Sequence, residues 1–129
     1  MNTKEALKSF ELDARLFYDA VTFSTDDYLY IIDMSRDTAL VSDNMREDFG
    51  LPDSLVPGLI PLWRDLIVER DRVRFDESIN DMLSGKTDVH DVEYQIKNVD
   101  DENIWVVCRG LMKRDEHNDP TMFAGVVTC

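Results

Sequence analysis

Residues 92–127 read VEYQIKNVDDENIWVVCRGLMKRDEHNDPTMFAGVV, and their reading decides the fold. Val92, Tyr94 and Ile96 alternate with Glu93, Gln95 and Lys97, the period-two pattern of a strand with one dry face and one wet face. Asp100 to Asn103 is a polar turn. Ile104 to Met112 is a longer strand, apolar on both faces, and Asp115 to Pro120 is a second polar turn. Met122 to Val127 is the closing strand. Three consecutive strands joined by two short turns form an antiparallel meander.

Upstream, Phe75, Ile79, Met82 and Leu83 recur at helical spacing in a segment from Glu69 to Leu83, and Gly85 is placed to stop that helix. Leu51 to Pro61 carries three prolines and one glycine, which predicts loop and short helical turns. Trp63 to Ile67 reads as one or two further turns. Ser42 is an expected cap for a short helix ending at Gly50. Tyr28 to Met34 and Thr38 to Val41 read as two strands around a Ser35-Arg36-Asp37 turn, with Asp33 the one acid on a largely apolar strand. The first segment predicts one helix from Thr3 to Phe23, with Asn2 and Glu5 as a capping pair. Leu7, Phe10, Ala14, Phe17 and Val21 step by three and four along it, a heptad seam that suits pairing with a second copy or packing on its own domain. The expected architecture is α+β: a five-stranded antiparallel sheet with helices on one face, plus an N-terminal amphipathic helix.

The 129 residues fit one domain, divided into a helix at 1–24 and a folded domain at 25–129. With 27 acidic against 14 basic residues the net charge is −13. Such a field repels phosphate backbones and anionic lipid, so neither nucleic acid nor a membrane surface is an expected partner. The two cysteines, Cys108 and Cys129, have no metal or disulfide spacing, and the N-terminus has no signal-peptide pattern. A reducing, cytoplasmic setting is the expectation.

Several motifs, taken in order, resemble the PAS domain, in the form common in bacterial signalling proteins. Asp71-Arg72 is similar to the acidic-basic pair opening the family's long helix, and Ser84-Gly85-Lys86 to its end. Glu93-Tyr94-Gln95-Ile96 resembles the family's E-Y-x-I strand, and Ile104-Trp105-Val106 its aromatic-rich strand start. Arg114 to Pro120 resembles R-D-x-x-G-x-P, and Phe123 to Thr128 the last strand. Tyr30-Ile31-Ile32-Asp33 and Ser42-Asp43-Asn44 match the first half more loosely. Three departures stand out. Val68-Glu69 replaces the family's His-Pro. The first hairpin lacks its glycine, so Asp101 or Asn103 is expected to take the left-handed conformation. The closing Asp-Ile-Thr is absent at Thr128-Cys129, and the chain is expected to be one segment of a longer protein.

The resemblance implies a ligand held between the sheet and the long helix, for which Phe49, Phe75, Ile79, Met82, Val106, Cys108 and Val126 are the candidate lining; the alternative is that they only fill the core. Haem-binding relatives use a histidine on the long helix, and none stands between Glu69 and Leu83. His90 and His117 read as solvated surface residues. No cysteine opens the long helix as in flavin photosensors, and Cys108 reads as a small buried hydrophobe. No metal, haem or covalent flavin is therefore expected. There is no glycine-rich phosphate loop and no Gly-x-Ser-x-Gly, so no enzyme activity is expected. The expected function is a sensory domain that binds a small molecule or, through the seam of its N-terminal helix, mediates dimerisation, and so controls a linked effector, which the resemblance implies to be of the diguanylate cyclase or histidine kinase type. The alternatives are a ligand-free interaction module and a small α+β enzyme using Asp33 as a pocket acid.

Overall fold

A computed structural model describes residues 1–129. It contains six antiparallel strands and five helices in the order α1 (Thr3–Ser9), α2 (Ala14–Ser24), β1 (Tyr28–Asp33), β2 (Thr38–Val41), α3 (Asp43–Phe49), β3 (Leu55–Pro57), α4 (Leu59–Leu66), a 3-10 turn (Glu69–Asp71), α5 (Arg72–Leu83), β4 (Val89–Lys97), β5 (Asn103–Arg114) and β6 (Pro120–Thr128). The sheet order is β3-β2-β1-β6-β5-β4, so the first and last strands pair at its centre.

The fold is α+β with the predicted antiparallel meander, but the sheet has six strands rather than five. The added strand is β3, which pairs Ala39 with Val56 and Leu40 with Leu55 at the edge of the sheet. Prolines mask it in the sequence, yet an edge position tolerates Pro57, whose missing N–H would face outward. Val56 is completely buried there. Pro61 falls in the first turn of α4, where a missing N–H leaves no hydrogen bond unmade.

The N-terminal segment also departs from expectation. A single helix from Thr3 to Phe23 is replaced by two, because the Asp13 carboxylate accepts from Leu16 N at 3.0 Å and starts α2 afresh. Phe10 becomes the extended cap of α1, so the seam from Phe10 to Ala14 is broken. Asn2 does cap α1, accepting from Glu5 N at 3.0 Å. Neither helix has a buried residue.

The inner face of the sheet and helices α3 to α5 enclose one core of 23 buried apolar residues. Two polar devices set the helices on the sheet. Asp71, 3% exposed, accepts from the backbone N–H of Gln95 at 2.9 Å and from Arg74 at 3.2 Å, tying the start of α5 to β4. Arg114 donates to Asp88 at 2.8 Å, to the carbonyl of Asn118 at 3.1 Å and to the carbonyl of Met82. It thereby ties the end of α5 to the turn before β4 and to the turn between β5 and β6. Gly85 (φ 83°) ends α5 and Asp101 (φ 60°) takes the left-handed turn position, both as expected from sequence. Ser42 does not cap α3 with its side chain. Its hydroxyl accepts from Leu29 N at 3.0 Å and donates to Asn44 at 2.6 Å.

Candidate functional site

Strand register places four residues in one row across the inner face. Tyr30 on β1 pairs with Gly125 on β6, Gly125 with Gly110 on β5, and Gly110 with His90 on β4. The two glycines make a trough between an aromatic phenol and an imidazole. Tyr30 lies across that trough, its hydroxyl donating to the carbonyl of Arg109 at 3.3 Å. A Cβ on Gly125 would stand 2.6 Å from the Tyr30 hydroxyl oxygen and overlap the Arg109 carbonyl. A Cβ on Gly110 would stand 2.7 Å from a ring carbon of Phe123 and overlap the Tyr30 hydroxyl. Glycine at these positions is a requirement of close approach, not of turn geometry.

Between this trough and helices α4 and α5 lies an apolar cavity of about 30 Å³, lined by twelve residues of which eleven are hydrophobic. Trp63 of α4 and Phe75 and Ile79 of α5 line it from the helical layer; Tyr30, His90 and Cys108 line it from the sheet. At roughly 10–15 Å³ per water it has room for two or three water-sized occupants.

The polar atoms of the wall are nearly all engaged. Cys108 Sγ donates to the Tyr30 hydroxyl at 3.3 Å, and Trp63 Nε1 donates to the Tyr94 hydroxyl at 2.7 Å. Burial pushes the Cys108 thiol up to about 11 and pushes the Tyr30 and Tyr94 phenols well above their usual value, so all three are neutral at ordinary pH. His90 is 1% exposed and sits edge-on to Phe75 and Phe123, with ring centroids 5.9 and 5.5 Å away. Its Nδ1 is 2.7 Å from Ser78 Oγ on α5. Its Nε2 is the one buried side-chain nitrogen or oxygen in the chain without a hydrogen-bond partner. Burial drives the imidazole down to about 4, with Asp91 opposing weakly, so His90 is neutral.

Of the residues predicted to line a pocket, Phe75, Ile79 and Cys108 meet at the cavity. Phe49, Met82 and Val106 are buried beside it without lining it; Phe49 stacks edge-on between Tyr28 and Trp63 at 5.0 and 4.8 Å. Val126 faces the opposite side of the sheet, and Val127 lines the cavity instead, because Phe123, Gly125 and Val127 share the inward phase of β6. The sequence pattern puts His90 in solvent, and the structure corrects this. Strand β4 begins at Val89, three residues earlier than predicted, so the inward series Val92, Tyr94, Ile96 extends back to His90. The same alternation on β1 puts Tyr30 inward. Asp33 lies in the outward phase and accepts from Ser35 N at 3.1 Å and Arg36 N at 3.2 Å, capping a turn. An enzymatic reading through Asp33 loses its residue.

The chain belongs to the PAS fold family, whose model matches residues 38–127. No curated protein matches the chain significantly. Among solved structures it is similar to a sensory box histidine kinase/response regulator from Burkholderia thailandensis, with 16% identity, 86% of this chain and 82% of that one covered, and a TM-score of 0.70. It is also similar to the N-terminal domain of a diguanylate cyclase with a PAS/PAC sensor from Marinobacter aquaeolei, with 14% identity, coverage of 80% and 94%, and a TM-score of 0.63. A light-oxygen-voltage domain studied with a flavin analogue shares 17% identity over 90% of this chain and 84% of that one, with a TM-score of 0.64. These identities establish the shared fold.

A flavin does not fit this cavity. Benzene alone occupies a cavity of about 150 Å³, several times the space present, and a three-ring flavin is larger still. The one lining thiol, Cys108, is engaged with Tyr30. No group of His, Cys, Asp and Glu is arranged to hold a metal ion.

Proposed function

We propose that this chain is the sensory input domain of a bacterial signal-transduction protein, and that the cavity between the sheet and α4–α5 takes a small molecule. The observation that carries the reading is an apolar cavity at the centre of the PAS sheet, walled by residues of all three helices, α3, α4 and α5, that rest on it. Occupancy alters how α4 and α5 pack on β1, β5 and β6. Because β1 follows α2 directly and β6 is the last strand, the same packing governs the chain at both ends of the domain. A ligand that favours one packing over another shifts the population and hence a linked effector, of diguanylate cyclase or histidine kinase type.

The same reading assigns residues 1–24 to a dimerising element and 25–129 to the sensor. It rests on exposed apolar side chains: Leu7 on α1, Phe10 just after it, Leu16, Phe17 and Phe23 on α2, and Trp105, Leu111 and Met122 on the outer face of the sheet. Those uncovered faces are also what favours the alternative, an interaction module that needs no ligand. No helix is long and apolar enough to cross a membrane. A cytoplasmic setting, with both cysteines free, completes the proposal.

The test is native mass spectrometry of the chain purified from its host beside a denatured control. Added mass that disappears on denaturation supports the sensor. A bare two-chain species supports the interaction module. A bare monomer counts against both the occupied cavity and the dimer.

A further inference from the structure

The two edges of the sheet are built differently. Edge strand β3 is three residues long and ends on Pro57. Edge strand β4 runs nine residues, Val89–Lys97, without a proline. An open edge presents main-chain N–H and C=O groups that a further strand can take up. We infer that β4 receives an extended, basic segment of a partner protein, which adds a strand to the sheet.

Strand phase identifies the groups on offer. The ladder between β4 and β5 continues into Met112 N–H donating to the Asp88 carbonyl at 2.8 Å and Asn98 N–H donating to the Glu102 carbonyl at 3.0 Å. Even-numbered residues of β4 therefore bond to β5, and odd-numbered ones turn their main-chain groups to the open edge. The chain itself engages several of these. Thr87 Oγ1 accepts from Val89 N at 3.1 Å, and Arg74 donates to the Glu93 carbonyl at 2.8 Å. The Asp71 carboxylate accepts from Gln95 N, and the Gln95 carbonyl accepts from Val68 N, each at 2.9 Å. Between these ties lies a window without partners: the Val89 carbonyl, the N–H and carbonyl of Asp91, and the Glu93 N–H. An extended segment of about five residues meets all of them from alternate positions.

Charge selects the segment. The window opens on a groove between β4 and α5, with Glu77 and Asp81 on the helix side and Asp91 and Glu93 on the strand side. Arg74 is the one basic residue in its wall, and Asp71 holds it at 3.2 Å. Arg109 reaches Asp91 from β5 at 3.1 Å and offsets one carboxylate. Trp105, 52% exposed, also borders the groove and offers its ring to a cation. Side chains of an added strand alternate between the two sides, so lysine or arginine finds a carboxylate on either. A second copy is a poor occupant: edge-to-edge pairing would bring the Asp91 and Glu93 carboxylates of two chains together, each chain carrying −13. The groove shares no lining residue with the apolar cavity, so neither site requires the other.

The experiment titrates the full ¹⁵N-labelled chain with an acetylated, amidated peptide, KTRVKTR, and reads amide shifts and hydrogen exchange. Binding should slow exchange of the Asp91 and Glu93 amides, leave the paired His90 and Val92 amides unchanged, and weaken with salt. The same peptide N-methylated at every residue keeps its charge but cannot donate to the Val89 and Asp91 carbonyls, and should bind about tenfold more weakly or worse. Glu77→Lys with Asp81→Lys should weaken the unmodified peptide by about tenfold or more at low salt. Neither side chain takes part in an ion pair or hydrogen bond, so this variant should keep the wild-type urea midpoint. Equal affinity for the plain and N-methylated peptides would reduce the contact to charge alone and overturn strand addition. An acidic counterpart, ETEVETE, binding as tightly as the basic peptide would overturn the charge selection. Absence of exchange protection at millimolar peptide would overturn the site. Protection that rises with chain concentration in the absence of peptide would give the edge to a second copy and overturn it equally.

Discussion

Acid should unfold this domain through His90, and the amount can be worked out. The imidazole sits at about 4 in the fold against 6.5 in the unfolded chain, because burial penalises its charged form. The folded value is the lower one, so the unfolded chain takes the proton first. Stability from this group is complete above pH 6.5 and is lost as pH falls toward 4. At pH 5 the unfolded histidine is nearly all protonated and the folded one nearly all neutral. A gap of about 1.5 pH units at 1.36 kcal/mol per unit gives about 2 kcal/mol lost, rising to about 3 kcal/mol below pH 4. The assay is urea denaturation at pH 7.5, 6.5, 5.5 and 5.0 for the wild type and His90→Gln. Carboxylates, the −13 net charge and His117 are common to both proteins and cancel in the difference. The wild type should lose about 2 kcal/mol more than His90→Gln between pH 7.5 and 5.0. Parallel curves would refute the reasoning: either the imidazole is solvated, or an unrecognised partner stabilises its charged form.

Three further outcomes are expected. Gly125→Ala should cost on the order of 3 kcal/mol or more in urea denaturation, because its Cβ meets main-chain atoms of β5 that cannot move aside; Gly85→Ala, where a Cβ meets only Asn118 at 3.7 Å, should cost about 1 kcal/mol from backbone strain alone. Asp71→Ala should cost about 2–4 kcal/mol, since it orphans the Gln95 N–H and frees Arg74; a loss below about 1 kcal/mol would mean water replaces the carboxylate. Phe10→Glu with Phe17→Glu should leave the melting temperature nearly unchanged, as both side chains are at least 60% exposed, while raising the dissociation constant of the proposed dimer in sedimentation; a wild type that is monomeric, or a dimer unchanged by the substitutions, would exclude this segment as an interface.

Features written in short spacings are legible in the sequence. Alternation in Val92, Tyr94 and Ile96 locates an inward strand face, Gly50 and Gly85 mark helix ends, and Asp101 is one of two residues suited to the left-handed turn position. Periodicity marks Phe75, Ile79 and Cys108 only as inward-facing; it took the family resemblance to name them, with four others, as candidate lining, and these three do line the cavity. The sequence misleads where a local signal is masked or competed with. The prolines around Leu55–Pro57 hide a strand that exists only because β2 offers it an edge. Asp13 wins the cap of α2 against a heptad pattern that spans it, and so breaks one helix into two. Val126 and Val127 differ by a single step of phase, which a run of apolar residues does not resolve.

Local order is a property of sequence because hydrophobic period, caps and turn residues act over a few positions, and these determined the PAS fold of this chain. The site is a property of register. Tyr30, Gly125, Gly110 and His90 are up to 95 positions apart in the chain and meet only because β1, β6, β5 and β4 pair side by side. A histidine in a polar stretch looks solvated until pairing extends its strand by three residues and closes Phe75 and Phe123 over it. Burial, and with it the neutral imidazole and its unpartnered Nε2, was decided by tertiary structure, since desolvation depends on everything that packs around a group rather than on its neighbours in the chain.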